Sequence, residues 1–187
     1  MDKRDCDGTE RSQFWGYGRS TLNTTVVQST QNLSLQGFNF TGAMWTAPES
    51  DDMGGNRGNV TFTPGGTATG YYWRGGTGNW SDPSHWATSP DGPVQGPSGC
   101  VPTIVDTVFV DENSFVNTSD SIILDIPGVC KGIYWIIPER KGKLIGENPL
   151  YIAGSADFSG VIPEGIASIL YFSGNGEHTV RSTPDTI

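Results

Sequence analysis

Two tryptophans and a histidine lie close together in the segment GNWSDPSHW, residues 78–86. Indole faces stack on the C–H bonds of sugar rings, and a histidine exchanges hydrogen bonds with sugar hydroxyls. Trp80, His85 and Trp86, together with Tyr72, are therefore a candidate glycan-binding platform. The alternative is structural: Trp80 and Trp86 bury their rings and hold down a loop without regular secondary structure. Burial of an aromatic ring removes about 150–250 Å² from water, and we favour this structural interpretation.

Carboxylates are concentrated between residues 106 and 125. Calcium prefers carboxylate oxygens, so Asp106 and Asp111 are candidate calcium ligands. The sequence contains no EF-hand loop and no glycine-rich calcium nonapeptide, however. Aspartates in turn-rich chains more often accept hydrogen bonds from backbone amides. We therefore expect Asp106 and Asp111 mainly to cap turns, and we predict no cofactor other than this candidate calcium ion.

The sequence lacks the motifs of common enzymes. It has no Gly-x-Ser-x-Gly nucleophile elbow, no phosphate-binding loop and no His-Glu-x-x-His zinc motif. Its only histidines, His85 and His178, leave few options for a histidine-activated nucleophile. A pair of carboxylates of the glycosidase type remains open. We predict that the protein is not an enzyme.

The composition favours strands and turns over helices. The 187 residues include 26 glycines and 12 prolines, and Thr, Ser, Asn and β-branched residues are abundant. A net charge of -9 argues against binding to nucleic acid or to an anionic membrane surface. No apolar run approaches the roughly 20 residues of a membrane span, so we expect no direct membrane insertion. The polar start, MDKRDCDGTE, is not a signal peptide; we expect a piece of a longer secreted chain.

The three cysteines, Cys6, Cys100 and Cys130, are too few for a disulfide scaffold and lack the spacing of a zinc site. A disulfide between Cys100 and Cys130 would form in an oxidising compartment and would leave Cys6 over. The alternative is three separate buried thiols. The sequence does not decide between these two arrangements.

An internal repeat is the strongest indication of the fold. The segments 149–160 and 169–180 superpose when one is shifted onto the other without a gap. The matched pairs are Leu150 and Leu170, Tyr151 and Tyr171, Ile152 and Phe172, and Gly154 and Gly174. The segment GIYWI, residues 132–136, has the same pattern and is predicted to lie one turn earlier. Further strands with alternating apolar residues are predicted at 32–42 and 59–66. Short strands at this spacing predict the stacked coils of a β-solenoid, with β-sandwich modules as the alternative.

Residues 71–103 interrupt this rhythm of strands. The segment is rich in Trp, Gly and Pro and is predicted to form a long excursion loop. We place a module boundary at its start. Residues 1–70 are then the C-terminal part of a preceding β-rich repeat module. Residues 71–187 are the next module, which opens with the loop and continues as β-coils.

Three segments resemble a module of very large surface proteins of Bacteroidota. They are YYWRGGTGNWSDPSHWA (71–87), VPTIVDTVFVDENSF (101–115) and ILDIPGVCKGIYW (123–135). That group includes SprB-like gliding adhesins, which the type IX secretion system exports. The resemblance covers about residues 71–180 and implies a secreted, repetitive surface filament. It implies no catalytic residue.

Three triplets resemble the O-glycosylation motif of exported Bacteroidota proteins, in which Asp-Ser or Asp-Thr precedes a small or aliphatic residue. They are DTV (106–108), DSI (120–122) and DTI (185–187). The resemblance makes Thr107, Ser121 and Thr186 candidate glycosylation sites. About one such triplet is expected by chance at this composition.

These observations predict a non-catalytic structural and adhesive segment of a large extracellular bacterial surface filament, serving gliding motility or surface attachment. The expected partners are neighbouring repeats of the same chain and the secretion machinery, and surface polysaccharides are a candidate partner. The alternative function is a carbohydrate-binding module with an aromatic platform. A polysaccharide-active enzyme ranks third, by analogy with enzymes that share the solenoid fold.

Overall fold

The computed structural model describes residues 12–63, 65–162, 165–173 and 177–182. Within these ranges the chain is all-β, as the composition predicts, with eighteen strands and one 3-10 helix, Pro83–His85. No helix among these residues has the length or the apolar composition needed to cross a membrane.

One sheet contains the first five strands. They are β1 (Ser12–Thr24), β2 (Gln28–Ser29), β3 (Leu33–Pro48), β4 (Asp51–Asp52) and β5 (Arg57–Thr63). Strand β3 pairs in parallel with each of the other four. The predicted strands at 32–42 and 59–66 coincide largely with β3 and β5, which confirms them as strands, although the bounds differ.

Thirteen further strands form three more sheets. In chain order they are β6 (Gly70–Trp73), β7 (Gly78–Asn79), β8 (Trp86–Ala87), β9 (Thr107–Val110), β10 (Ser121–Ile123), β11 (Gly128–Cys130), β12 (Gly132–Trp135), β13 (Lys143–Ile145), β14 (Leu150–Ile152), β15 (Ala156–Phe158), β16 (Ile166–Ala167), β17 (Leu170–Phe172) and β18 (Val180–Ser182). The six-stranded sheet has the order β18-β15-β12-β9-β6-β8, the four-stranded sheet β16-β13-β10-β7 and the three-stranded sheet β11-β14-β17.

The chain visits these three sheets in the same order again and again. Strands β9, β10 and β11 form a strand triplet that contributes one strand to each sheet, and β12–β14 and β15–β17 repeat it. Each strand of a triplet pairs in parallel with its counterpart in the next triplet. Strand β18 continues the series by pairing with β15. Parallel partners need a long crossover between them, because a short hairpin can join only antiparallel strands.

The repeat predicted between the segments 149–160 and 169–180 is confirmed in β14 and β17. Their register pairs Leu150 with Leu170, Tyr151 with Tyr171 and Ile152 with Phe172. The rings of Tyr151 and Tyr171 stack with centroids 5.2 Å apart and planes 16° apart. The fourth predicted pair includes Gly174, which lies outside the described residues.

The predicted position of residues 132–136 is wrong. Strand β12 belongs to the six-stranded sheet, where it pairs with β9 and β15. The strand that precedes β14 in the three-stranded sheet is β11. The apolar-Tyr-apolar pattern arises in any strand whose first and third side chains point inward, so it does not identify the sheet.

The loop predicted at 71–103 begins later than expected. Tyr71 and Trp73 belong to β6, which pairs in parallel with β9. Both side chains are buried, whereas Tyr72 between them is only partly buried, and this is the alternation of a strand with one inward face. The irregular segment between β8 and β9 contains only the bridge from Ala87 to Val94. The domain boundary at residue 70 stays a prediction.

Inward side chains of the three sheets form one hydrophobic core. Members with no measurable exposure include Val108, Ile122, Ile133, Leu144 and Leu150. Each buried aliphatic side chain of this size stabilises the fold by about 1.5–3 kcal/mol relative to an exposed one. Burial of these side chains in a common core therefore holds the three sheets and the successive triplets together.

The N-terminal part of the chain covers the outward face of the three-stranded sheet at β11 and β14. Met53 packs in a second apolar cluster with Ile104, Val129 and Tyr151. The hydroxyl of Tyr151 donates a hydrogen bond to Oε1 of Gln36 at 3.2 Å. Burial raises the pKa of Tyr151 from its ordinary value. Strand β14 is thus covered on both faces.

Two isoleucines of one segment provide a matched test of this core. Ile133 is fully buried in β12, whereas Ile136 is 51% exposed. We expect Ile133→Ala to lower the free energy of unfolding by about 2–5 kcal/mol, because it opens a cavity between three strands. Ile136→Ala should change it by less than about 1 kcal/mol. Urea denaturation measures both, and equal effects would contradict the burial of Ile133.

Candidate functional site

The tryptophans of the segment 78–86 are buried. Trp73, Trp80 and Trp86 have no exposed surface. The ring of Trp86 meets those of Trp73 and Trp80 edge-to-face, with both centroid distances at 4.9 Å. Its Nε1 donates to the backbone oxygen of Trp80 at 2.9 Å. Trp80 and Trp86 present no ring face to a sugar, so their prediction as a glycan platform is wrong and the structural interpretation holds.

His85 also takes part in this packing. Its ring stacks on Trp73 with centroids 4.8 Å apart and planes 8° apart. Its Nδ1 lies 2.7 Å from the backbone oxygen of Arg74, and since a carbonyl oxygen only accepts, Nδ1 carries the proton. A Cβ atom on Gly78 would lie 2.0 Å from Nε2 of His85. Position 78 therefore has to be glycine for the ring to occupy this place.

Local turn chemistry brings Trp86 to the core. Asp82 precedes the 3-10 helix and accepts hydrogen bonds from the backbone N–H and the hydroxyl of Ser84, at 2.9 and 2.8 Å. Pro83 occupies the first turn, where its missing N–H is not needed. The chain then returns as β8, which pairs antiparallel with β6. The loop thereby occupies the edge of β6 that β9 leaves free.

An ion pair fastens the loop to β9. The guanidinium of Arg74 contacts both carboxylate oxygens of Asp111, at 2.8 and 3.0 Å. Both side chains are largely buried, with 11% and 18% of their surface exposed. Arg74 also donates to the backbone oxygen of Pro90 in the loop. Asp111 is therefore committed to holding the loop in place.

Asp106 caps the turn before β9. Its Oδ1 accepts the N–H of Thr69 at 2.8 Å, and its Oδ2 accepts the N–H and the hydroxyl of Thr103 at 2.7 and 2.6 Å. The carboxylate is 4% exposed. These bonds satisfy a buried charge, which would otherwise be costly. The expectation that Asp106 and Asp111 cap turns or bond backbone amides fits this geometry, since Asp111 also accepts the N–H of Asn113 at 3.0 Å.

Asp106 and Asp111 do not share one calcium ion, and calcium binding by either carboxylate stays a prediction. The two residues flank β9 at its opposite ends. Five steps of extended chain at about 3.3 Å each separate their backbones by roughly 16 Å, which is too far for one ion. Among the described residues, no three Asp, Glu, His or Cys side chains are grouped as a metal ion requires.

Tyr72, the remaining platform residue, belongs to a ring stack on the outside of the six-stranded sheet. Tyr72 stacks on Phe109 at 4.9 Å and 16°, and Phe109 on Tyr134 at 5.8 Å and 21°. The guanidinium of Arg74 lies over Tyr72 at 5.5 Å. The rings of Tyr72 and Phe109 are only 4.9 Å apart, which leaves no room for a cation between them. The guanidinium of Arg74 therefore covers the face of Tyr72 that points away from Phe109. The stack presents ring edges outward, and Tyr72 offers no free face for a sugar. The sequence indicates this ring stack by an aromatic residue at the third position of three strands, GYYW, TVFV and GIYW.

The predicted disulfide between Cys100 and Cys130 is wrong, and so is the alternative of three separate thiols. Cys130 is a free, fully buried thiol in β11. Burial raises its pKa, and the negative charge of Asp106 raises it further. Cys100 is part of a disulfide. Cys6 lies outside the described residues.

Two of the three candidate glycosylation sites lie in described strands. The hydroxyl of Ser121 is buried, with the residue 6% exposed, and donates to the backbone oxygen of Ser119 at 3.2 Å. The folded chain therefore shields Ser121 from a transferase, which corrects that prediction for the folded state. Thr107 is partly exposed in β9 and stays a prediction. Thr186 lies outside the described residues.

Comparison with known proteins adds no relative. No protein-family model matches the chain, and searches of curated proteins and of solved structures found no match.

The structural role of the tryptophans is open to direct test. We expect Trp86→Ala to lower the free energy of unfolding by about 3–5 kcal/mol, because it removes a ring that contacts three others. Val94→Ala, in the same loop but 44% exposed, should cost less than about 1 kcal/mol. Urea denaturation, followed by circular dichroism, measures both. A Trp86→Ala protein that keeps its stability but loses binding to a sugar would restore the glycan platform.

Proposed function

We propose that the chain is a non-catalytic structural and adhesive repeat segment of a large extracellular bacterial surface filament. In this proposal, strands β6 to β18 belong to stacked coils of a β-solenoid. The observation that carries it is the register of β14 and β17, in which three successive residues lie over their counterparts of the same kind in the next triplet. A filament built of repeats needs this property, because each coil must accept the next.

The direction of the strands supports a solenoid over a sandwich. Sandwiches consist of antiparallel strands joined by hairpins and Greek-key connections. Here every pairing between triplets is parallel, and the only antiparallel pairing of two named strands joins β6 to β8 within the described residues. A coil that returns to the same sheet once in every triplet always runs in the same direction there, which explains why the strands of successive triplets are parallel.

The two ends of the stack differ. Strand β8 covers the first edge of the six-stranded sheet. At the other end of the stack, β16, β17 and β18 are each the last strand of one sheet. Apolar side chains in or beside these strands are exposed: Ile169 to 57%, Tyr171 to 43% and Val180 to 51%. Apolar side chains at an open sheet edge favour a further coil as partner. The proposed partner is the neighbouring repeat of the same long chain.

Charge and cysteine chemistry support the extracellular location. The disulfide at Cys100 fits an oxidising compartment. The net charge of -9 keeps long filaments soluble and apart. The resemblance to type IX-secreted surface proteins of Bacteroidota adds the secretion machinery as a partner, with gliding or surface attachment as the role.

The carboxylates support a passive role. Asp106 and Asp111 are engaged in the turn and the ion pair described above. Asp120 accepts the backbone N–H groups of Asn117 and Val116, at 2.8 and 3.0 Å, and these bonds, that from Asn117 most of all, lower its pKa. A glycosidase needs one carboxyl group whose pKa is raised so that it can act as an acid. Asp120 has the opposite shift, as expected of a cap.

The alternative, a carbohydrate-binding module with an aromatic platform, has less support. Its platform residues Trp80 and Trp86 are buried, and Tyr72 is covered on both faces. No observation on these rings favours a sugar over the packing that they already have.

An antiserum against this chain tests the proposal in cells that carry the gene. We expect an immunoblot band far larger than 187 residues would give, and we expect protease treatment of intact cells to remove it. Deletion of the gene should reduce surface attachment or gliding. A cytosolic enzyme that survives the same protease treatment is the control. A band of the size of this chain, or one protected in intact cells, would refute the proposal.

A further inference from the structure

A cleft of about 360 Å³ lies in the N-terminal sheet, away from the buried tryptophans. Small-molecule sites typically have volumes of roughly 300–1,000 Å³, and the cleft falls at the lower end of that range. Its lining consists of Thr21, Gly37, Phe38, Asn39, Gly55 and Arg57. These residues combine one aromatic ring, one cation and two neutral polar groups, and none of them carries a carboxylate.

Three polar residues of the lining form a row across neighbouring strands. The register pairs Thr21 of β1 with Asn39 of β3, and Asn39 with Arg57 of β5. Adjacent strands lie about 4.8 Å apart, so the row spans roughly 10 Å. A hydroxyl, an amide and a guanidinium are presented in sequence over a distance comparable to two linked sugar units.

A β-bulge shapes the cleft. Residues 16–19 of β1 lie opposite Gly37 alone, because the register shifts between Trp15 and Ser20. Gly37 has φ +76°, and a Cβ there would lie 2.6 Å from the backbone oxygen of Gly16. Phe38 then donates its N–H to Oδ1 of Asn56 at 3.0 Å. Bulges redirect side chains and are frequent beside binding sites. The bulge ends before Phe38, so Phe38 and Asn39 alternate as in a regular strand and Asn39 shares its face with Thr21 and Arg57.

Arg57 is the cation of the cleft, and no described residue neutralises it. It is exposed and forms no ion pair or hydrogen bond with any residue that the structure describes. Arg74, by contrast, is bound to Asp111 on two oxygens. The nearest acidic group in sequence, Asp52, accepts the N–H of Gly54 and the amide of Asn56. The guanidinium of Arg57, in a chain of net charge -9, is therefore available to an anionic group.

We propose that this cleft binds an acidic saccharide. Arg57 pairs with the carboxylate of a hexuronic acid, for which the planar guanidinium provides two parallel N–H donors. Asn39 and Thr21 exchange hydrogen bonds with the ring hydroxyls. A phosphate dianion fits less well, since the single cation of the lining balances one hexuronate carboxylate but not two negative charges on one group. The inference does not depend on the filament role.

The test is an NMR titration of the full chain labelled with ¹⁵N. The probes are trigalacturonate and, as the neutral counterpart, maltotriose. We expect trigalacturonate to shift the amide signals of residues 37–39 and 55–57. Arg57→Gln should weaken the binding of trigalacturonate about tenfold or more, because a hydrogen bond to a charged group is lost. Arg57→Lys, which keeps the charge but loses the paired donors, should have an intermediate effect.

The control variant is Arg181→Gln, which removes the same charge from an exposed arginine in β18. It should bind trigalacturonate as the unmodified chain does. Equal weakening by Arg57→Gln and Arg181→Gln would reveal non-specific charge attraction and overturn the site. Absence of shifts at residues 37–39 and 55–57, or equal binding of the two trisaccharides, would also overturn it. These last two results need only the unmodified chain, so the proposal stays testable even if a variant fails to fold.

Discussion

The fold depends on the contact between inward apolar side chains of successive parallel strands. Ile133 lies in register between Val108 and Ala156, and all three are buried. Each short strand of a triplet cannot bury its own apolar face. The neighbouring strands supply the cover, so the stability of one triplet is coupled to the presence of the next. A hydrogen-bonded ladder between parallel strands fixes the same register and prevents sliding, which would turn apolar residues toward water.

Features outside the core follow from this constraint. The chain has to turn corners between sheets, and the aspartates at these corners bind the backbone amides that the strands leave unpaired. Where the stack begins, Trp86 and β8 close the edge of the six-stranded sheet. Where the described stack ends, Tyr171 and Val180 remain exposed. In the proposed filament, the exposed edge is where a further coil would stack.

The sequence predicts those features that depend on repetition within a strand. Tyr151 and Tyr171 are matched correctly because identical residues at equal spacing identify equivalent positions. The sequence does not place residues 132–136 in their sheet, since the same alternation suits any sheet. It favours the burial of Trp80 and Trp86, but it does not predict the ring contacts. The pairing of Cys100, the separation of Asp106 from Asp111 and the cleft at Arg57 all depend on turns and bulges that bring distant residues together or keep near ones apart.

Paired cysteines on the outer face of the six-stranded sheet measure the register of neighbouring strands most directly. Tyr134 pairs with Asp157, and Asp157 pairs with Arg181 one strand further. Adjacent strands lie about 4.8 Å apart, whereas a disulfide fails above about 7 Å between Cα atoms. Mild oxidation should therefore link the double variant Tyr134→Cys with Asp157→Cys, and leave Tyr134→Cys with Arg181→Cys unlinked. A disulfide in the second variant and none in the first would contradict the parallel stacking on which the account rests.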